Sequence, residues 1–150
     1  MTLNEFLTAA KQACYASEAP ESRIDHPDGS IELRYAENGY EYVDHYWGDR
    51  AFAGTESVSL DAEPIWTMAY HGRVLTSIPE PADIFVFLRK ALRSAAEDSP
   101  LRGPEYITDE NWSYENEYDG DTDEFAGTES IFYKGTRCFR LRYLGGRIER

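Results

Sequence analysis

Phe52-Ala53-Gly54-Thr55-Glu56-Ser57 returns, at an offset of 73 residues, as Phe125-Ala126-Gly127-Thr128-Glu129-Ser130. The same offset sets Val58 on Ile131, Trp66 on Phe139, Met68 on Leu141, Tyr70 on Tyr143 and Gly72 on Gly145. Six identities followed by matched apolar positions mark an internal repeat, and a repeat governs how the rest of the chain is read.

Upstream of each copy lies a helix signal. Thr2-x-x-Glu5 has the form of a capping box, and Leu3, Phe6, Leu7, Ala10 and Cys14 then fall on one helical face. After Pro79-Glu80-Pro81, where proline suits a helix start, a second stripe runs through Ile84, Leu88, Ala91, Leu92 and Ala95. Pro-bearing loops (Pro20 to Gly29, and Pro100 to Pro104) lead into short aromatic segments bounded by turn chemistry at Glu37-Asn38-Gly39, Asp61-Ala62-Glu63-Pro64 and Lys134-Gly135. The pattern predicts a helix over 3–16 and strands over 31–36, 40–47, 55–60 and 65–70. It then predicts a helix over 82–97 and strands over 105–108, 112–118, 128–133 and 137–143. Strands that follow one another without intervening helices make the fold α+β rather than α/β. The expected architecture is one domain of two pseudo-symmetric α-β-β-β-β repeats, 1–76 and 77–150, with antiparallel sheets each packing one helix. Period two assigns Trp66, Met68 and Tyr70 to the core. It does the same for Phe139, Leu141 and Tyr143, which alternate with Cys138, Arg140 and Arg142.

The chain carries 28 acidic against 15 basic side chains, a net charge of -13, which excludes a plain phosphate-backbone binder. Aromatic residues make up 14%, enough to exclude a disordered chain despite the charge. Met1-Thr2-Leu3-Asn4-Glu5-Phe6 has neither a basic n-region nor an apolar h-region. The longest apolar run, Ile84-Phe85-Val86-Phe87-Leu88, is far short of the ~18 residues of a membrane span. A cytoplasmic location without membrane contact is expected, with Cys14 and Cys138 as small buried hydrophobes rather than a disulfide.

From Glu105 to Glu129 there are ten carboxylates and no Lys or Arg. Asp119-Gly120-Asp121-Thr122-Asp123 opens like a calcium loop, but Glu124 stands at position six and Ser130 at position twelve, so it reads as a solvated hairpin tip. The C-terminal cations Lys134, Arg137, Arg140, Arg142, Arg147 and Arg150 are expected to pair with that hairpin. Gly54 and Gly127 read as bulge positions. His26, His45 and His71 show no metal-ligand spacing, with His71 read as a turn residue, and no nucleophile or phosphate-binding motif occurs. No metal, cofactor or catalytic residue is assigned.

Regular strands would set Glu56 beside Val58, and Glu129 beside Ile131, on core faces, where a carboxylate finds donors or takes up a proton. The leading expectation is a non-enzymatic binding module. A small amphipathic or cationic ligand would sit in an aromatic and acidic cleft between the repeats, lined by Tyr42, Tyr46, Trp47, Trp66, Tyr70, Glu56 and Glu129. The alternative is an acidic protein that captures a basic protein partner, as an immunity- or antitoxin-type inhibitor or a nucleic-acid mimic. An acid-pair hydrolase using Glu56 and Glu129 ranks third.

Phe6-Leu7-x-x-Ala10-Lys11-x-x-x-Tyr15-Ala16, the paired Phe-x-Gly-x-Glu strands, Ile65-Trp66-x-Met68-x-Tyr70-x-Gly72-Arg73-Val74, Leu101-Arg102-Gly103-Pro104-Glu105 and Gly145-Gly146-x-Ile148 resemble an uncharacterised bacterial domain family. The resemblance covers essentially the whole chain. It implies a protein that stands alone or forms the C-terminal part of helix-turn-helix regulators. This chain has no room for a helix-turn-helix, so a regulatory role would need a partner. Members of the family tend to carry a second acid after the motif glutamate, where this chain has Ser57 and Ser130. The family carries no activity to transfer.

Overall fold

Thr2 caps the first helix as its spacing requires: its Oγ1 accepts from the Glu5 N–H at 3.2 Å, and the Glu5 carboxylate accepts from the Thr2 N–H at 2.7 Å. The computed structural model describes residues 1–15, 20–97 and 99–150. Helix α1 (Leu3–Cys14) is followed by strands β1 (Ile24–Asp25), β2 (Ile31–Glu37), β3 (Tyr40–Gly48), β4 (Ala51–Leu60) and β5 (Glu63–Val74). Helix α2 (Pro81–Arg93), with a proline in its first turn, precedes β6 (Tyr106–Asp109), β7 (Trp112–Asp121), β8 (Glu124–Tyr133) and β9 (Thr136–Arg147). The α+β class agrees with the sequence pattern, and so does the element order except for the short β1, which lies in the loop expected from Pro20 to Gly29.

The expectation of separate sheets is corrected: the strands form one nine-stranded antiparallel sheet in the order β1-β2-β3-β4-β5-β9-β8-β7-β6. The reason lies at its centre. β5 and β9 each end a run of hairpin-linked strands and would each present a long unpaired edge. They pair with one another instead, from Trp66 opposite Arg147 to Val74 opposite Phe139, with Tyr70 opposite Tyr143. The outer edges are the two shortest strands, β1 and β6, which limits further edge-to-edge pairing.

Both helices cover the same face. Phe6 of α1 stacks on Tyr40 with ring centroids 4.9 Å apart, and Phe87 of α2 stacks on Trp112 at 5.3 Å. Phe85 meets Phe52 and Phe139 between them. The side chains assigned inward by alternation, including Trp66, Met68, Phe139 and Leu141, are fully buried, while Ala69, His71 and Arg142 of the opposite face are exposed. Asn38-Gly39 and Lys134-Gly135 both have positive φ at each residue, the conformation of tight hairpin turns.

Three local expectations change. The bulges fall at Val58/Ser59 and Ile131/Phe132 rather than at the glycines. Gly54 and Gly127 instead permit close approach: a Cβ on Gly54 would lie 2.6 Å from Tyr46 Cβ, and one on Gly127 would lie 2.5 Å from the Tyr143 hydroxyl. His71 is not a turn residue, because β5 runs four residues further than its pattern indicated, paired with β9. Of the C-terminal cations, Arg147 pairs with Asp123 of the acidic hairpin, whereas Arg150 reaches Glu63 and Arg137 donates to Ser130. Among the described residues no helix is long and apolar enough to cross a membrane, and Cys14 and Cys138 are both free and buried.

Trp66 ties the centre of the sheet to the hairpin tip, since its ring stacks on Phe125 at 5.7 Å and its Nε1 donates to the Thr122 carbonyl at 3.0 Å. Trp66→Ala is expected to lower the unfolding free energy by about 3–5 kcal/mol, read from the midpoint of urea denaturation with an unchanged m-value.

Candidate functional site

Alternation along β3 turns Tyr42, Asp44 and Tyr46 toward the helices, and the same rule on β4, β7 and β8 turns Glu56, Tyr114, Asn116 and Glu129 inward. All of these except Tyr46 are buried. Five charged side chains therefore meet beneath the helices. Lys11 projects from the apolar stripe of α1, and its Nζ reaches Glu56 Oε1 at 2.7 Å with both side chains fully buried. Arg102, from the loop after α2, donates through Nε at 3.0 Å and Nη2 at 2.8 Å to Glu129 Oε1, and its Nη1 lies 3.8 Å from Glu56 Oε2. The two glutamates singled out by the repeat are thus joined through one guanidinium. Each also accepts a tyrosine hydroxyl, Tyr42 on Glu56 and Tyr114 on Glu129.

Asp44 is the fifth charge and, among the described residues, forms no ion pair. Its Oδ2 accepts from Tyr15 at 2.8 Å and its Oδ1 from Tyr70 at 2.5 Å. Burial and then the neighbouring Glu56 carboxylate push its pKa up to about 6, against the two tyrosine hydrogen bonds. The pKa of Arg102 is raised too, which here favours its charge: burial works against the guanidinium, but Glu129 and Glu56 hold it well above its ordinary value. Two cations and two glutamates balance, so ionised Asp44 carries the surplus negative charge of the cluster.

Asp44 and Arg102 also face a cavity of about 390 Å³ between the helices and the β2–β4 part of the sheet. Tyr15 and Tyr70 supply hydroxyls. Tyr46, Leu33, Phe52, Phe85 and Leu88 supply apolar surface, and Arg23, Asp49 and Arg89 are among its more exposed lining residues. Cys14 lines it too, with its thiol pushed up to about 12 by burial and then by Asp44 and Glu56, so it is a neutral wall rather than a nucleophile.

Of the residues singled out from sequence, Tyr46 and Tyr70 line this cavity. Tyr42, Glu56 and Glu129 lie in the hydrogen-bonded cluster and do not line it. Trp66 is in the core against Phe125. Trp47 is an odd-numbered residue of β3 and projects from the opposite face, half exposed, beside His45 at 4.2 Å. Lys11, Tyr15, Asp44 and Arg102 were missed. Two of them had a legible signal: Lys11 sits one turn beyond Leu7 on an otherwise apolar stripe, and Asp44 interrupts the inward series of Tyr42 and Tyr46. Arg102 had none, because nothing in a loop sequence states what its side chain reaches.

An α+β chain whose single antiparallel sheet carries two helices on one face, with a buried acid–base cluster beneath them, defines the structural class. The chain belongs to the family described as domain of unknown function DUF5680, whose model matches residues 44–148, from Asp44 through Glu56, Arg102 and Glu129 to the end of the sheet. No curated protein and no solved structure matches it.

Removing Arg102 would leave two carboxylates buried without a shared cation. Arg102→Met is expected to cost about 3–5 kcal/mol at neutral pH, and adding Glu129→Gln is expected to recover part of that loss in a double-mutant cycle read by denaturant unfolding. Asp44 has the opposite linkage. A carboxyl that ionises near 6 when folded and near 3.8 when unfolded binds its proton more tightly in the native state, so stability falls as pH rises between those values. Relative to Asp44→Asn, the native protein is expected to lose about 2–3 kcal/mol between pH 4 and pH 7, measured by unfolding curves at both pH values.

Proposed function

We propose that this protein is a binding module for a small amphipathic molecule whose apolar body fills the cavity and whose cationic or hydrogen-bond-donating end meets Asp44. The observation that carries this reading is the buried Asp44 carboxylate, held by Tyr15 and Tyr70 and without an ion pair among the described residues, at a cavity of about 390 Å³ lined by both apolar and charged side chains. That volume lies within the range of small-molecule sites, which are mostly apolar with a few placed polar groups. A ligand cation would balance the surplus charge, and its arrival would hold Asp44 ionised.

We also infer that the chain is one domain of two related halves and that only one half keeps an open site. Tyr70 bonds to Asp44 as Tyr143 bonds to Asn116 at 2.6 Å, and Tyr42 bonds to Glu56 as Tyr114 bonds to Glu129. In the second half the neutral Asn116 donates to the Gly103 carbonyl at 2.9 Å, and Gly103 N–H donates to the Tyr114 hydroxyl at 3.0 Å. The backbone of that loop thereby occupies the ground that a ligand would take. Glu56 and Glu129 then act as the support of the site rather than its lining, which disfavours a hydrolase that uses them as an exposed acid pair.

A thermal-shift series of amphipathic primary and quaternary amines, with matched alcohols and carboxylates, tests the reading. Amines are expected to stabilise the protein, by about 2.7 kcal/mol at one hundred times the dissociation constant, and Asp44→Asn is expected to abolish the preference for amines. Equal responses in Asp44→Asn, or a response to carboxylates alone, would overturn it.

A second reading rests on the hairpin of β7 and β8, where Glu117, Asp119, Asp121 and Glu124 are exposed. Such a surface suits a basic protein partner, captured with a rate that falls steeply with ionic strength. Salt-independent capture would count against it.

A further inference from the structure

The helix-free face of the sheet gathers a group of side chains that neither reading uses. His26 follows β1, Glu32 lies in β2, and His45 lies in β3 directly opposite Glu32. One ring nitrogen from each histidine and one carboxylate oxygen lie within 4.8 Å of one another. We propose that His26, Glu32 and His45 bind a single divalent transition-metal ion, zinc in the first instance, through two imidazole nitrogens and one carboxylate oxygen.

Three features support the assignment. The first is the approach of two donor atoms. His26 Nε2 is cut off from solvent and lies 2.9 Å from Glu32 Oε1, an ion pair when the imidazole is protonated. With the ring neutral and its proton on Nδ1, both atoms carry lone pairs that one cation can take together. The second is that the flanking atoms are already held. Glu32 Oε2 accepts from Arg34 Nη2 at 2.9 Å and from Nε at 3.0 Å, which leaves Oε1 as the monodentate donor. His45 Nε2 is 2.9 Å from Ser30 Oγ, which bonds Asp28 at 2.6 Å, and Asp28 also accepts from Trp47 Nε1 at 3.2 Å. Outer partners of this kind fix ring orientation at metal sites. The third is chemistry: two histidines and one carboxylate form a zinc ligand set that leaves a fourth position for water or a bound molecule. All three side chains are half-buried.

The test uses the untagged full chain. Isothermal titration with zinc chloride is expected to give one ion per chain. Glu32→Gln and His45→Ala are each expected to weaken it roughly tenfold or more, and His71→Ala, on the same face but outside the group, to leave it unchanged. Side-chain NMR of the native protein supplies a readout free of variant folding: zinc is expected to shift the ring resonances of His26 and His45 and not those of His71. The proposal is overturned if no stoichiometric binding occurs, if His26 and His45 do not respond, or if binding survives in Glu32→Gln and His45→Ala but is lost in Asp121→Asn/Asp123→Asn, which would locate the ion on the acidic hairpin.

Discussion

The Arg102 guanidinium between Glu129 and Glu56 is the contact on which the interior depends. A carboxylate removed from water costs several kcal/mol unless donors and a counter-charge surround it, and this interior holds three. Lys11 and Arg102 answer two of them from different parts of the chain, one on a helix and one in a loop. The ion pairs therefore fix the position of α1 over β4 and of the 100–104 loop over β7 and β8. Apolar packing alone would tolerate a helix that slides along the sheet, because hydrophobic burial has no direction. Charged hydrogen bonds of fixed length do not.

In the function proposed above, the third carboxylate, Asp44, is the group that would turn this structural cluster toward binding. Asn116 occupies the corresponding place against Tyr143, and its amide both accepts and donates, so it can close on a backbone carbonyl. An ionised Asp44 only accepts. It takes two tyrosine hydroxyls and retains its charge at neutral pH, at a cost in stability that a ligand cation would offset. On that proposal, an oxygen exchanged for an NH2 group in two similar surroundings would separate an open position from a filled one.

The two faces of the sheet divide the chemistry. The covered face combines aromatic surface with paired charge, whereas the uncovered face carries His71, Arg73, Arg140, Arg142 and the exposed Leu144 along β5 and β9, with His26, Glu32, His45 and Trp47 collected toward the β1 edge. Trp47 exemplifies the division: one residue from Tyr46 along β3, it shares no surface with the cavity because successive strand side chains point to opposite faces.

The sequence by itself determined the element list apart from the two-residue β1. The capping box of Thr2 and Glu5, the stripes of α1 and α2, the hairpin turns at Asn38-Gly39 and Lys134-Gly135, and the inward set of Trp66, Met68, Tyr70, Phe139, Leu141 and Tyr143 are all local, set by residues a few positions apart. Only the tertiary structure decided that β5 pairs with β9 to make one sheet, that Arg102 joins Glu56 to Glu129, that Asp44 rather than either glutamate meets the cavity, and that two histidines without metal spacing converge on Glu32. Periodicity states which way a side chain points. It does not state what stands opposite, since partners tens of residues away along the chain are chosen by how whole elements dock.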